Sequence, residues 1–213
     1  SNALEPQWLE RGARPSSSSS SDRDAVTERP IDVLVQKRKS SPYVLNQLVP
    51  ALKAHGLKVE VQSGWVDDLV DLFNCSKVYL YDSAEYWRGH GVTEGFGLPP
   101  LEALACGCVV FGSFNHALAD TLTPDVTAYQ IGQGTLDNDL VRISAAVASP
   151  NQWFPVPATI EELLVDSSEA RWCERWRAVL SQLEDLAAHG AMGLSSARVL
   201  RSPSTRRLRW NRL

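Results

Sequence analysis

The chain has 213 residues, 44% of them hydrophobic, a formal net charge of −4 and four cysteines. That length makes one large or two small domains, and the apolar share suffices for a buried core. The charge gives no reason to expect nucleic acid. The cysteines form no C-x-x-C pair and read as small buried residues of a reducing compartment, and no run of ~18 apolar residues exists to span a bilayer.

Ser1-Asn2-Ala3 reads as a tag-removal scar, and residues 4–29, with the serine run Ser16–Ser21, as a flexible linker too poor in apolar surface to order itself. Ile31–Val35 is a short run rich in branched residues, the signal of a first buried strand. Lys37, Arg38 and Lys39 follow it. Ligands of open α/β sheets bind beyond the carboxyl ends of strands, so these bases emerge where a diphosphate would lie. Lys37 and Lys39 fall on one side if strand geometry continues.

Val44, Leu45, Leu48, Ala51 and Leu52 recur at helical spacing, with Pro50 predicting a kink or late start and His55-Gly56 a stop. Leu57–Val61 alternates like a second strand. A turn at Ser63–Asp68 and a short helix over Leu69–Phe73 lead to a third strand at Lys77–Tyr81. The stretch Asp82–Thr93 reads as an insert, either a surface loop anchored by Trp87 or a specificity loop in which Arg88 or His90 touches the ligand.

Residues 93–111 organise the chain. Glu94-Gly95-Phe96-Gly97-Leu98 is a glycine-bearing loop, free of Cβ atoms where a ligand would approach Gly95 and Gly97. Pro99-Pro100 opens a helix whose free N–H groups and positive dipole end favour an anion. Glu94 sits at the loop mouth, and Glu102 follows the first helical turn. Carboxylates accept hydrogen bonds from vicinal hydroxyls while the helix start and bases hold phosphates, the demands of a nucleotide-sugar. Gly107 stops the helix, and Cys108–Phe111 is a fourth strand. Thr127–Ile131 is a last short strand, and Asp137 and Asn138 cap a helix running to Ala148. Beyond Pro150, Trp172, Trp176, Val179, Leu180, Leu183 and Leu186 share one face of a C-terminal helix, the pattern of core packing. The segment 191–213 is basic, with five arginines and no acid from Arg201 on, and reads as a mobile tail or a contact for an anionic lipid surface.

The stretch Glu94 to Gly107 resembles the Glu-x7-Glu signature of retaining GT-B glycosyltransferases, the group 1 family. The resemblance implies that Glu94 contacts the donor sugar, Glu102 the ribose hydroxyls, and the Gly95–Leu98 backbone the sugar and phosphate. The family usually has an Arg shortly after the first strand and a Lys several residues later; here the tighter Lys37-Arg38-Lys39 stands instead and is expected to hold the diphosphate, chiefly through Lys37 and Lys39, Lys39 with a catalytic part. The resemblance places the turn at Gly64-Trp65 beside the base, although Trp65 is somewhat more often a packing residue. A Gly-Gly-x-Pro-Glu turn usual in the family is absent after the fourth strand, where Ser113 to His116 stand instead. The expected fold is α/β, a Rossmann-like doubly wound parallel sheet forming a single GT-B half over residues 30–190, with a C-terminal helix. The expected function is binding of a UDP- or GDP-sugar for transfer to an unknown glycan, lipid or small-molecule acceptor. The chemistry is expected to be cytoplasmic, without metal or other cofactor, in partnership with an N-terminal GT-B domain or a partner chain, the isolated chain being inactive. The alternatives are a non-catalytic nucleotide-sugar-binding module and a GT-B nucleotide-sugar epimerase relative.

Overall fold

The computed structural model of this protein describes residues 3–15 and 29–191. Five strands form one parallel sheet: β1 (Ile31–Gln36), β2 (Val59–Gln62), β3 (Ser76–Tyr81), β4 (Val109–Gly112) and β5 (Tyr129–Gln130), in the order β2-β1-β3-β4-β5. The register aligns Val33 with Val59 and Val78, and Leu80 with Phe111. Successive side chains of a strand point to opposite faces. Val33, Val35, Val78, Leu80, Val109 and Phe111 therefore enter one core, and Leu34, Tyr79, Tyr81 and Val110 the other. Burial on both faces explains why these strands read as unbroken apolar runs.

One face is covered by a helical segment over Val44–Ala54 and by α7 (Leu136–Ala148). Its first part, Val44–Leu48, is a π-helix, and the Val49 N–H bonds the Val44 carbonyl five residues back. Pro50, at the start of α2 (Val49–Ala54), has no N–H to give to an i−4 carbonyl, so the ladder slips by one residue there. The expected kink or late start is met instead by this widened turn, since the segment is helical without a break from residue 42 into α2. The cap of α7 is Thr135, whose hydroxyl accepts from the Asn138 N–H, rather than Asp137 or Asn138.

The other face carries α3 (Leu69–Asn74), α5 (Leu98–Ala105), α9 (Pro157–Asp166) and α1 (Pro6–Arg11). The last of these corrects the expectation of a flexible segment over residues 4–29. Leu4 exchanges backbone hydrogen bonds with Ser167 and Glu169, and Arg11 pairs with Asp68 and Asp71. Trp8 is buried edge-on against Phe73, ring centroids 5.7 Å apart, and Phe73 stands edge-on to Tyr79 at 5.0 Å. Such pairs contribute about 0.5–1.5 kcal/mol each beyond their area. Buried Leu4 and Trp8, with Leu9 packed beside them, fix this short helix on the core together with those polar contacts. The serine run lies outside the described residues.

The chain divides into two units, Ser1–Trp172 and Cys173–Leu213. α10 (Glu169–Ala191) begins in the first and makes up the described part of the second. The apolar stripe of α10 is not core as expected: Trp172 is 39% exposed and Leu186 69%. The periodicity reported an amphipathic helix correctly, but a period carries no information about what covers the face. The basic segment from residue 192 on, with its expected membrane contact, lies outside the described residues. Among the described residues no helix is long and apolar enough to cross a membrane.

Candidate functional site

Strand order reverses direction between β1 and β3, and an open parallel sheet leaves a crevice at the carboxyl ends of the strands flanking such a point. β1 exits there into the basic cluster, and β3 exits into Asp82–Thr93. The strand does not continue through the bases as the alternation argument required. It ends at Gln36, where the Ser40 hydroxyl donates to the Gln36 carbonyl and the Ser40 N–H to that of Lys37, closing a turn. Lys39 takes a left-handed backbone, φ 69°, a conformation uncommon outside glycine. The consequence is selective. Lys37 and Arg38 are exposed, and Lys39 alone of the three turns back to the acid of the opposite loop, its Nζ 3.9 Å from Glu94 Oε1.

Glu94 is not at a solvent-filled mouth; it is 6% exposed. Three donors converge on its Oε2: the Tyr81 hydroxyl at 2.7 Å, the Ser83 hydroxyl at 2.9 Å and the Trp87 indole N–H at 2.6 Å. Burial pushes the pKa of Glu94 up, but the bonds from Tyr81, Trp87 and Ser83, with the charge of Lys39, outweigh burial and hold it below the usual value. A buried, ionised carboxylate is thus fixed in orientation, with Oε1 left toward Lys39. Trp87 also faces Lys39, whose Nζ lies 4.7 Å from the indole centroid, a cation–π geometry. Trp87 comes from α4 (Ala84–Gly89), so the insert holds a helix rather than only a surface loop. Tyr81 and Ser83 were not foreseen as site residues. In the sequence Tyr81 reads only as the end of the third strand and Ser83 only as part of the insert that follows it.

After Glu94 the chain passes Gly95, around which a Cβ would meet nothing within 4 Å, and Phe96, which packs on the core. Gly97 serves a different need from the one expected. Its φ is 78°, and a Cβ there would lie 2.1 Å from Leu118 Cδ2, so the missing side chain makes room for α6 (Ala117–Thr121), not for a ligand. α5 begins at Leu98 with both prolines in its first turn, where neither costs a hydrogen bond. Glu102, half-buried on α5, has its pKa pushed up to about 7, chiefly by burial and then by Glu5, with Lys39 pulling the other way. The charge of Lys39 thus favours the ionised form of both glutamates, and its Nζ lies 3.9 Å from Glu94.

Gly64 and Trp65 stand at the exit of β2. Trp65 is 90% exposed, its indole N–H 3.1 Å from Asp67 Oδ1, so it has no packing role. Cys106 and Cys108 are buried as expected, and burial holds both thiols in the protonated form, that of Cys108 up to about 12. Among the described residues no three His, Cys, Asp or Glu side chains cluster as metal ligands.

Comparison with known proteins points to a family: residues 46–149 match the model of the glycosyl transferases group 1 family. Serotype-specific mannosyltransferase WbdA of Escherichia coli is 33% identical over 93 residues, which is 42% of this chain and 10% of that protein. Among solved structures, Anabaena HepE in complex with UDP and glucose superimposes with a TM-score of 0.54 at 14% identity, covering 72% of this chain and 49% of HepE. A glycosyltransferase from Rickettsia africae gives 0.54 at 15% identity over 83% of this chain and 52% of its own. The chain thus spans about a tenth of the curated relative and about half of these structures. At such identities the structures establish the fold alone, a Rossmann-like α/β domain.

Proposed function

We propose that this chain, carrying a group 1 glycosyltransferase region, forms the wall of a glycosyltransferase site that grips a nucleotide diphosphate sugar. One observation carries the reading: at the sheet's switch point, Lys39 Nζ lies 3.9 Å from the open oxygen of a Glu94 whose other oxygen is held by three donors. The retention of configuration that the motif suggests rests on resemblance alone.

In this reading the Glu94 carboxylate, ionised and fixed, accepts a hydrogen bond from a sugar hydroxyl through Oε1. As the bond to the leaving diphosphate breaks, negative charge accumulates on its oxygens. Lys39 and the Gly97 and Leu98 N–H groups, which precede the two prolines of α5, are fixed positive partners for that charge and need no reorganisation as it forms. Lys37 and Arg38, exposed and without ion pairs among the described residues, add long-range attraction for the same anion. Glu102 accepts from the ribose hydroxyls, and the bare face of Trp65 stacks on the base. The donor nucleotide is UDP or GDP, the base being left open by these contacts. HepE is solved with UDP, which supports a uridine nucleotide. The acceptor is bound by a second wall, so this chain alone binds donor without turnover.

The test is titration calorimetry of the chain with UDP, GDP and a UDP-sugar. Binding that weakens about tenfold in Lys39→Ala, and a sugar-dependent gain in affinity lost in Glu94→Gln, support the reading. Absence of binding to every nucleotide overturns it.

A further inference from the structure

The glycosyltransferase reading leaves the apolar stripe of α10 without a task. Trp172, Trp176, Val179, Leu180, Leu183 and Leu186 lie on one side of this helix and are between 39% and 69% exposed. Exposed apolar residues scattered singly are ordinary, but a continuous run of large ones marks an interaction surface. The period does not say what covers it; the charges along its border do. Successive residues of a helix turn by about 100°. Arg175 and Gln182 therefore line one edge of the stripe and Arg177 and Glu184 the other, while Glu174 and Asp185 fall on the far side. Arg177 and Glu184 are exposed and form no ion pair among the described residues. They are opposite in sign, on one edge, and two turns apart.

We propose that this face of α10 pairs with the same face of a second copy of the chain, the two helices running antiparallel about a two-fold axis level with the peptide between Leu180 and Ser181. Like edges meet in an antiparallel pair, so Arg177 of each copy lies level with Glu184 of the other, and the match is made twice. Unlike edges meet at equal height in a parallel pair, which sets Arg177 against Arg175 of the second copy, a like-charge contact. The antiparallel register also brings Trp176 level with the step between Leu183 and Leu186 of the other copy, so the largest side chain faces the gap between two smaller ones. The six side chains expose on the order of 600 Å², so the pair buries about 1,200 Å², the lower end of specific interfaces and the size of a dimer that dissociates on dilution. Nothing in this face depends on the donor site.

The test is sedimentation velocity of the full chain over a dilution series. Expected is a dimer at high concentration that gives way to monomer on dilution. Leu183→Glu, a change at an exposed position, leaves the chain monomeric throughout. Arg177→Glu and Glu184→Arg each weaken the dimer about tenfold, since each turns two attractive pairs into two repulsive ones. The two changes together restore it, a rescue that damage to the fold cannot produce. Four results overturn the inference. A chain monomeric at every concentration leaves the face to a different protein. A dimer indifferent to Leu183→Glu uses another surface. A dimer strengthened by Arg177→Glu is parallel, and one weakened by both reversals without rescue by the double change lacks the proposed register.

Discussion

The Trp87 indole N–H lies 2.6 Å from Glu94 Oε2 while its ring faces Lys39 Nζ at 4.7 Å, so one side chain of α4 orients both the acid and the base of the candidate site. Trp87→Phe separates these two roles, because it keeps a ring for Lys39 and removes the N–H. The expected outcome is a loss of about 1.5–3 kcal/mol of stability, the range for a hydrogen bond to a charged group. Affinity for a UDP-sugar should fall more than affinity for UDP, because the damage is to Glu94. Equal losses for both ligands by calorimetry would mean that Trp87 does not act through the acid.

Tyr81→Phe takes one of the three donors from the same oxygen. Since Glu94 is held below its usual pKa in the folded chain, its bonds contribute stability that is present above the unfolded value and lost as pH falls through the folded one. The stability gap between the parent chain and Tyr81→Phe should therefore be full at pH 7 and shrink below about pH 4.5, the ordinary value for the group. Urea unfolding at pH 7 and at pH 3 reads this directly.

Glu102 gives the opposite sign. Its pKa is raised from 4.5 to about 7, so the folded chain holds its proton more tightly than the unfolded one, and stability falls as pH rises through that window. Glu102→Gln should match the parent near pH 4 and exceed it above pH 7 by about 2 kcal/mol, order of magnitude. It should at the same time weaken UDP binding if the ribose contact is right. A variant without added stability at pH 8 would show that the carboxylate is better solvated than its surroundings imply.

At Gly97 two costs fall on one position. Gly97→Ala meets both the left-handed φ of 78° and a Cβ 2.1 Å from Leu118 Cδ2. The backbone part is about 1–2 kcal/mol and the overpacking about 1–3 kcal/mol. Leu118→Ala in the same chain should relieve only the second, so a double-mutant cycle of unfolding free energies returns a favourable coupling of that size. Additive losses would mean the backbone carries the whole effect.

Trp65→Ala should leave the unfolding midpoint within experimental error, since the side chain is 90% exposed. If the indole stacks on the base, nucleotide affinity falls by about 1–3 kcal/mol. Unchanged affinity for both UDP and GDP removes Trp65 from the site.

The sheet was legible because its strands are buried on both sides and the branched runs at Ile31–Val35 and Cys108–Phe111 leave little choice of conformation. Glu94 and Glu102 were legible through their spacing around two glycines and two prolines. What stayed hidden depended on distances that sequence order does not carry. Lys39 was singled out by a left-handed turn, a backbone event no residue type at that position announces. The hydroxyls of Tyr81, at the end of β3, and Ser83, two residues past it, became part of the site only by meeting Glu94, 13 and 11 residues further on. Trp8 was overlooked beside a serine-rich neighbour, and the stripe on α10 was assigned a partner that periodicity cannot supply.

The widened turn at Val44–Leu48 acts as a spacer. Each residue of an α-helix advances the chain by about 100° around its axis, so the extra residue in that turn sets the azimuth of everything before it relative to α2. Tyr43, whose hydroxyl meets Asp139 2.7 Å away on α7, depends on that setting, and the Lys37–Ser40 turn sits immediately upstream. A single-residue deletion within Val44–Leu48 would rewind the segment and swing Tyr43 off Asp139. The pairing of Tyr43 with α7 is thus indexed by Pro50, a residue that takes no part in that hydrogen bond.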